Sequence, residues 1–252
     1  MKLKNRIGEE LLNNFGSKMI IVEYNGSNNI SVYFPEYNWT CEQVEYANFK
    51  KGNIKCPYER RVYGVGYIGE GKYKVKENGK TTKCYETWHS MLRRCYDEKY
   101  QEKKPTYKNC NVQEEFHNFQ NFSKWFEENY YEIYGQKISL DKDILYKGNK
   151  TYSTQCCIFV PEKINSLFTK RQNHRGDLPI GVKHHKDKYE VCCNNGNGKS
   201  IYLGLYDTID EAFQTYKIFK ENIIKEVANE YKDLIPIKLY NALINYQVEI
   251  ND

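Results

Sequence analysis

The chain has 252 residues, room for two or three small domains. It is 40% hydrophobic and 28% charged, which excludes a disordered chain, and its formal net charge of +5 is a mild bias toward polyanions. No long apolar run occurs near the start, so neither a signal peptide nor a membrane span is expected, and a cytoplasmic location is.

Aromatic residues make up 15%, with 24 Tyr and 11 Phe, enough to build small cores or to stack on nucleic acid. The nine cysteines contain no CxxC pair. That spacing suits neither a zinc site nor a disulfide framework, and reduced thiols are expected.

Residues 5–15 are expected to form a short helix, with Ile7, Leu11, Leu12 and Phe15 on one face and Gly16 as its stop. Residues 19–24 and 30–34 alternate like strands across an Asn25-Gly26 turn, and 44–49 is expected as a third strand. Together these make a small β module. Residues 58–82 set Gly64, Gly66, Gly69 and Gly71 among tyrosines, lysines and arginines. These glycines do not lead a strand into a helix, so nucleotide binding is rejected. A basic β ribbon along a phosphate backbone and a solvated hairpin are both open.

Residues 84–98 carry Tyr85, Trp88, Met91, Leu92 and Cys95 at helical spacing, and 116–131 carry Phe116, Phe119, Phe122 and Trp125. Both are expected to be core helices. His117 faces away from the second stripe. From 138 to 168 the pattern is a strand through 145, a polar turn with Gly148 and Asn149, and a strand through 156–160. A helix after Pro161 then carries Ile164 and Asn165.

This strand–turn–strand–helix outline, with Asp141 leaving the first strand and Glu162-Lys163-Ile164-Asn165 on the helix, resembles the HNH (ββα-metal) nucleases of phages and mobile introns. Tyr152-Ser153 resembles the Tyr-Ser-Pro that opens the second strand in many phage members. The runs through Trp88–Tyr96 and Phe116–Phe126 resemble the helical segment that precedes the hairpin there. The resemblance implies that Asp141 and Asn165 are metal ligands for Mg²⁺ or another divalent cation. It implies that Asp143 assists the metal or the water, and that Asn149 matches the loop Asn. Lys142 stands where the family has its general-base His. An ordinary lysine is protonated and cannot take a proton from water. Either the base comes from elsewhere (Asp143, a Tyr or one of the five histidines) or the site no longer cuts.

Residues 180–206 read as three strands, and Asp207-Thr208 caps a following helix. Gly181-Val182, Tyr189, Leu203-Gly204-Leu205-Tyr206, Thr208-x-x-Glu211-Ala212 and Tyr216 resemble, in order, the plant ethylene-response-factor (AP-two) DNA-binding domain. In that family the sheet lies in the major groove. The resemblance implies DNA contacts from Lys183, His184, Lys186, Lys188, Tyr189 and Lys199. Between 170 and 200 there are seven Lys/Arg, including Lys170, Arg171 and Arg175 of the preceding link, against three acids. The excess charge is therefore concentrated here, as a DNA footprint requires.

The expected fold is α+β in three parts: a β module (1–60), a helical segment with a ββα core (61–170), and a three-stranded sheet with packed helix (178–252). The expected partner is double-stranded DNA. The expected activity is metal-dependent DNA cleavage, the alternative being a DNA-binding regulator or anti-defence protein on an inactive nuclease core. A protein-interaction module is the third class, and weak salt dependence would mark it.

Overall fold

Alternating apolar residues and a five-residue loop containing Asn25-Gly26, closed by Asn25 N on Asn29 O, bring two neighbouring segments of the N-terminal region together as an antiparallel pair. In the computed structural model, which describes residues 5–168, 177–196 and 198–250, these are β2 (Lys18–Tyr24) and β3 (Ile30–Phe34). They sit inside a four-stranded antiparallel sheet in the order β1–β2–β3–β4, with β1 at Glu10–Leu12 and β4 at Trp39–Val44. Met19, Ile21, Ile30, Val32 and Phe34 are fully buried on one face, which α1 (Tyr46–Lys50) closes with Phe49.

Two sequence expectations fail here. Residues 5–15 are not a helix. Leu11 pairs with Met19 in the sheet and packs on its core, whereas Ile7, Leu12 and Phe15 are at least half exposed, so the apparent helical face is not a buried stripe. Buried Asn13 ends β1 instead: its Oδ1 accepts from the Phe15 and Ser17 amides, an Asx-type competitor to helix. The third strand is at 39–44, and 46–50 turns helical because it caps the sheet rather than extending it.

The glycine-rich stretch is likewise not a ribbon. The hairpin β5 (Lys76–Glu77) and β6 (Lys80–Thr81), a Val62–Gly66 bridge and a parallel Tyr67–Asn118 bridge form there. Gly71 lies so close to Gln120 that any Cβ would collide with its side chain. The Gln120 amide then satisfies the backbone of this segment, donating to Ile68 O (3.3 Å) and Tyr73 O (3.1 Å) and accepting from Tyr73 N (3.0 Å).

Helix α2 (Lys83–Tyr96) starts at Thr82, whose hydroxyl accepts from Tyr85 N, and buries Trp88, Met91, Leu92 and Cys95. α3 (Glu98–Lys103) is capped by Asp97. After β7 (Asn111–Val112) comes α4 (Phe119–Asn129). Phe116, Phe122 and Trp125 pack edge and face together, and Trp88 donates its indole N–H to Phe116 O at 2.7 Å.

The chain divides into two compact units, Met1–Glu128 and Asn129–Asp252. The second unit holds β8 (Ile138–Asp141), β9 (Thr151–Tyr152), β10 (Ile158–Pro161) and α5 (Glu162–Leu167). It continues with β11 (Val182–His185), β12 (Lys188–Asn194), β13 (Ser200–Tyr206), α6 (Ile209–Glu230) and α7 (Ile237–Ile244). β8 pairs antiparallel with β10, and β11–β12–β13 form an antiparallel sheet.

The 22-residue α6 is the spine of this unit. Its first turns bury Ala212, Phe213 and Tyr216 against Val182, Val191 and Cys193 of the sheet. Its later turns bury Ile223, Ile224, Val227 and Ala228 against Ile144, Ile158, Val160 and Ile164, with Leu239 and Leu243 of α7. Gly181 (φ +81°) is confined twice: its φ favours glycine, and a Cβ would collide with the Tyr216 ring. The architecture is α+β, with an N-terminal antiparallel sheet and a C-terminal three-stranded sheet followed by helices. All nine cysteines are free thiols.

Candidate cation site and nucleic-acid interface

β8 ends where Asp141 takes over its own backbone. Asp141 Oδ1 accepts from the amides of Asp143 (2.9 Å) and Ile144 (2.8 Å), which turns the chain out of the strand. The expected strand to 145 therefore stops at 141. The expected second strand loses Cys156 and Cys157 in the same manner, because Ser153 holds both their amides in a turn. Burial, then the neighbouring Asp143 carboxylate, pushes the Asp141 carboxyl above the usual range, and the two amide bonds only partly oppose this. Among the described residues, Oδ2 of Asp141 has no hydrogen-bond partner.

Lys142 is buried at 6% exposure. Its ammonium donates to Asn149 O at 3.0 Å and lies 3.3 Å from Asp143 Oδ2. Asn149 answers: its Nδ2 donates to Lys142 O and Thr151 O, both at 2.7 Å, and its Oδ1 accepts from Thr151 N. Lys142 and Asn149 thus lock the 142–151 loop from both ends. Both side chains are engaged in this loop, including Asn149, which the nuclease resemblance aligns with the loop Asn. Asp143 is exposed.

Helix α5 packs on both β8 and β10. Ile164 is fully buried in the shared core, while the adjacent Asn165 is partly exposed, and its side-chain amide has no hydrogen-bond partner among the described residues. Asp141 and Asn165 thus each keep an oxygen free of protein hydrogen bonds. Two hard oxygen donors suit a Mg²⁺-like ion that retains several waters. No group of three or more His, Cys, Asp and Glu side chains is placed to hold a metal among the described residues.

The β11–β13 sheet has one sealed face and one open face. Val182, Val191 and Cys193 point to α6, so alternation and register put Lys183, His185, Lys188, Glu190 and Cys192 on the other face, with Tyr202 and Leu205 of β13. His184 and Tyr189 do not share it. They pair directly across the strands on the α6 side, rings 5.3 Å apart, and Tyr189 packs against the core there. Lys186 occupies the β11–β12 turn at φ +53°, and Lys199 is exposed before β13. Lys170, Arg171 and Arg175 lie outside the described residues.

Sequence reading missed the centre of the open face. Glu190 accepts from Cys192 Sγ (3.2 Å) and Lys183 Nζ (3.4 Å), with His185 Nδ1 at 3.6 Å. The Cys192 and Lys183 bonds hold its carboxyl below the usual range. Lys188 is paired with Asp207 at 2.8 Å. Tyr202 and Leu205 are 59% and 42% exposed. Strand alternation counted back from inward-facing Tyr206 marks Leu205 as outward. A bulge between Val191 and Cys192 then shifts the count before Tyr202, and no sequence signal announces it.

No helix among the described residues is long and apolar enough to cross a membrane. Comparison with protein-family models, with curated proteins and with solved structures returned no match.

Proposed function

We propose that this protein binds double-stranded DNA with the open face of the β11–β13 sheet. The supporting observation is the asymmetry of that sheet. One face is sealed on α6, and the other presents Lys183, His185 and Lys188 beside uncovered Tyr202 and Leu205, with Lys186 and Lys199 in the flanking turns. A β ribbon fits the major groove, lysines neutralise phosphates, and an exposed aromatic and a leucine suit the apolar edge of thymine. Lysine lacks the bidentate fork of arginine, so the affinity is largely independent of sequence and strongly dependent on salt. Fluorescence anisotropy with a labelled duplex tests this: affinity must fall steeply with salt and weaken in a Lys183→Ala/Lys188→Ala variant. Salt-insensitive binding, or none, refutes it.

A second reading, metal-dependent cleavage of that DNA, is favoured by the unpartnered oxygens of Asp141 and Asn165. When bound, a divalent ion there would neutralise charge on the scissile phosphate and leaving oxygen. Lys142 is committed to the loop and supplies no base. Hydrolysis therefore needs another proton acceptor, for which exposed Asp143 is the nearest carboxylate in sequence. Plasmid nicking with Mg²⁺ or Mn²⁺, beside Asp141→Ala and Asn165→Ala, separates the readings. Cleavage lost in both variants with binding retained supports the nuclease. Binding without cleavage under either metal leaves a DNA-binding protein on a nuclease-like scaffold.

A further inference from the structure

Helix α6 carries one residue its packing does not explain. Lys220 is 7% exposed, on the same stripe as Tyr216 and Ile224, one turn away on either side. Among the described residues its ammonium has neither a hydrogen bond nor an ion pair. Protein interiors rarely leave a charged group so: a buried lysine without an acceptor is destabilising, and a methionine would fill the same space without that cost.

Lys220 lines a narrow cleft of about 300 Å³ of empty space including its open mouth. Leu167, Phe168, Ile180, Ile224 and Val248 make its walls apolar, and Tyr216 and Tyr246 add aromatic rings. The C-terminal segment forms one wall and is tied down on purpose-built contacts. Lys217 Nζ donates to Val248 O at 2.9 Å, Glu221 Oε1 accepts from Val248 N at 2.8 Å, and Lys147 Nζ donates to Gln247 O at 3.1 Å. Lys217 and Glu221 flank Lys220 on the helix yet turn to this wall, so the charged side chain left over is the one that lines the cleft. Burial draws the Lys220 amine below the usual lysine range, partly countered by the nearby Cys193 thiol.

We propose that this cleft is a binding site for a small apolar carboxylate, with the acid group on Lys220 and the hydrocarbon or aryl body against the apolar walls. An anion supplies the acceptor the lysine lacks, and the walls exclude a strongly hydrated ion such as phosphate. A neutral polar ligand would leave the ammonium without its counter-charge.

Isothermal titration of the full chain with octanoate and with 1-octanol tests this, in wild type and in Lys220→Met. Wild type is expected to bind octanoate with one-to-one stoichiometry and at least tenfold more tightly than octanol. In the variant that preference disappears. Equal affinity for acid and alcohol, a preference kept by the variant, or no octanoate binding overturns the proposal. Should Lys220→Met fail to fold, backbone amide shifts of the wild type decide. Octanoate must perturb Phe168, Tyr216, Tyr246 and Val248 first, and shifts centred elsewhere refute the site.

Discussion

Replacing Asn149 by alanine removes three hydrogen bonds at once: to Lys142 O, to Thr151 O and from Thr151 N. Each neutral bond contributes about 1 kcal/mol net. Asn149 is partly exposed, so water replaces some of this, and the expected loss is about 2 kcal/mol. The damage should be local, because the bonds lost all join residues of one loop, which the Lys142 ammonium on Asn149 O and the Lys147 ammonium on Gln247 O continue to hold in part. Hydrogen exchange read by mass spectrometry is the assay. Amides in 141–152 should exchange about 30-fold faster, the equivalent of 2 kcal/mol, while those of α6 keep their protection. Lys142→Met in the same background should cost less than it does alone, since both residues close one loop, with a coupling of at least about 0.5 kcal/mol. Unchanged exchange in the loop, or strictly additive effects, would refute the idea that this pair exists to hold it.

Gly181→Ala should destabilise the second unit by roughly 3 kcal/mol, the sum of a left-handed φ and a collision with Tyr216, seen as a lowered urea midpoint. Single alanine substitutions of Lys183 and Lys188 should each reduce the slope of log affinity against log salt by about 1, and a smaller change for Lys188 would reflect its tie to Asp207. Asp141 has a raised carboxyl in the folded state, so its ionisation opposes folding: stability declines as pH rises from the unfolded value of about 3.9 through the higher folded value. Asp141→Asn keeps an oxygen for both amides and should be more stable than wild type at neutral pH, the difference vanishing in acid, by urea unfolding across pH. Mg²⁺ should raise the melting temperature of wild type but not of this variant, and equal shifts in both would remove Asp141 from the cation site.

The pieces legible in sequence were those whose apolar pattern and tertiary role agree. The stripe through Trp88, Met91, Leu92 and Cys95 became a helix face because a partner exists to bury it. The three C-terminal strands and the Thr208 cap followed from alternation and capping chemistry alone. The first helix failed because Ile7, Leu12 and Phe15 have the right spacing but no apolar core to bury them, and all three stay at least half exposed. At the candidate sites, Asp141 was visible as an acid leaving a strand, and its role in ending that strand was not, because an Asx turn depends on a rotamer. Lys142 read as a missing base. Only the structure shows the ammonium spent on Asn149 O. The family resemblance grouped His184 and Tyr189 with Lys183 and Lys188, whereas strand alternation sends the two pairs to opposite faces of the sheet.

Gln120 stands in for a missing strand. A single side chain supplies three of the backbone bonds that a ladder would have given to residues 68–73, from a helix about fifty positions away in sequence. Such a rung cannot form before α4 exists and has docked. These three bonds must then form late, since they wait on closure of a long loop and on the helix that carries Gln120. A segment with so few local contacts inherits its shape from its neighbour, and Gln120 is the point at which that inheritance can be cut.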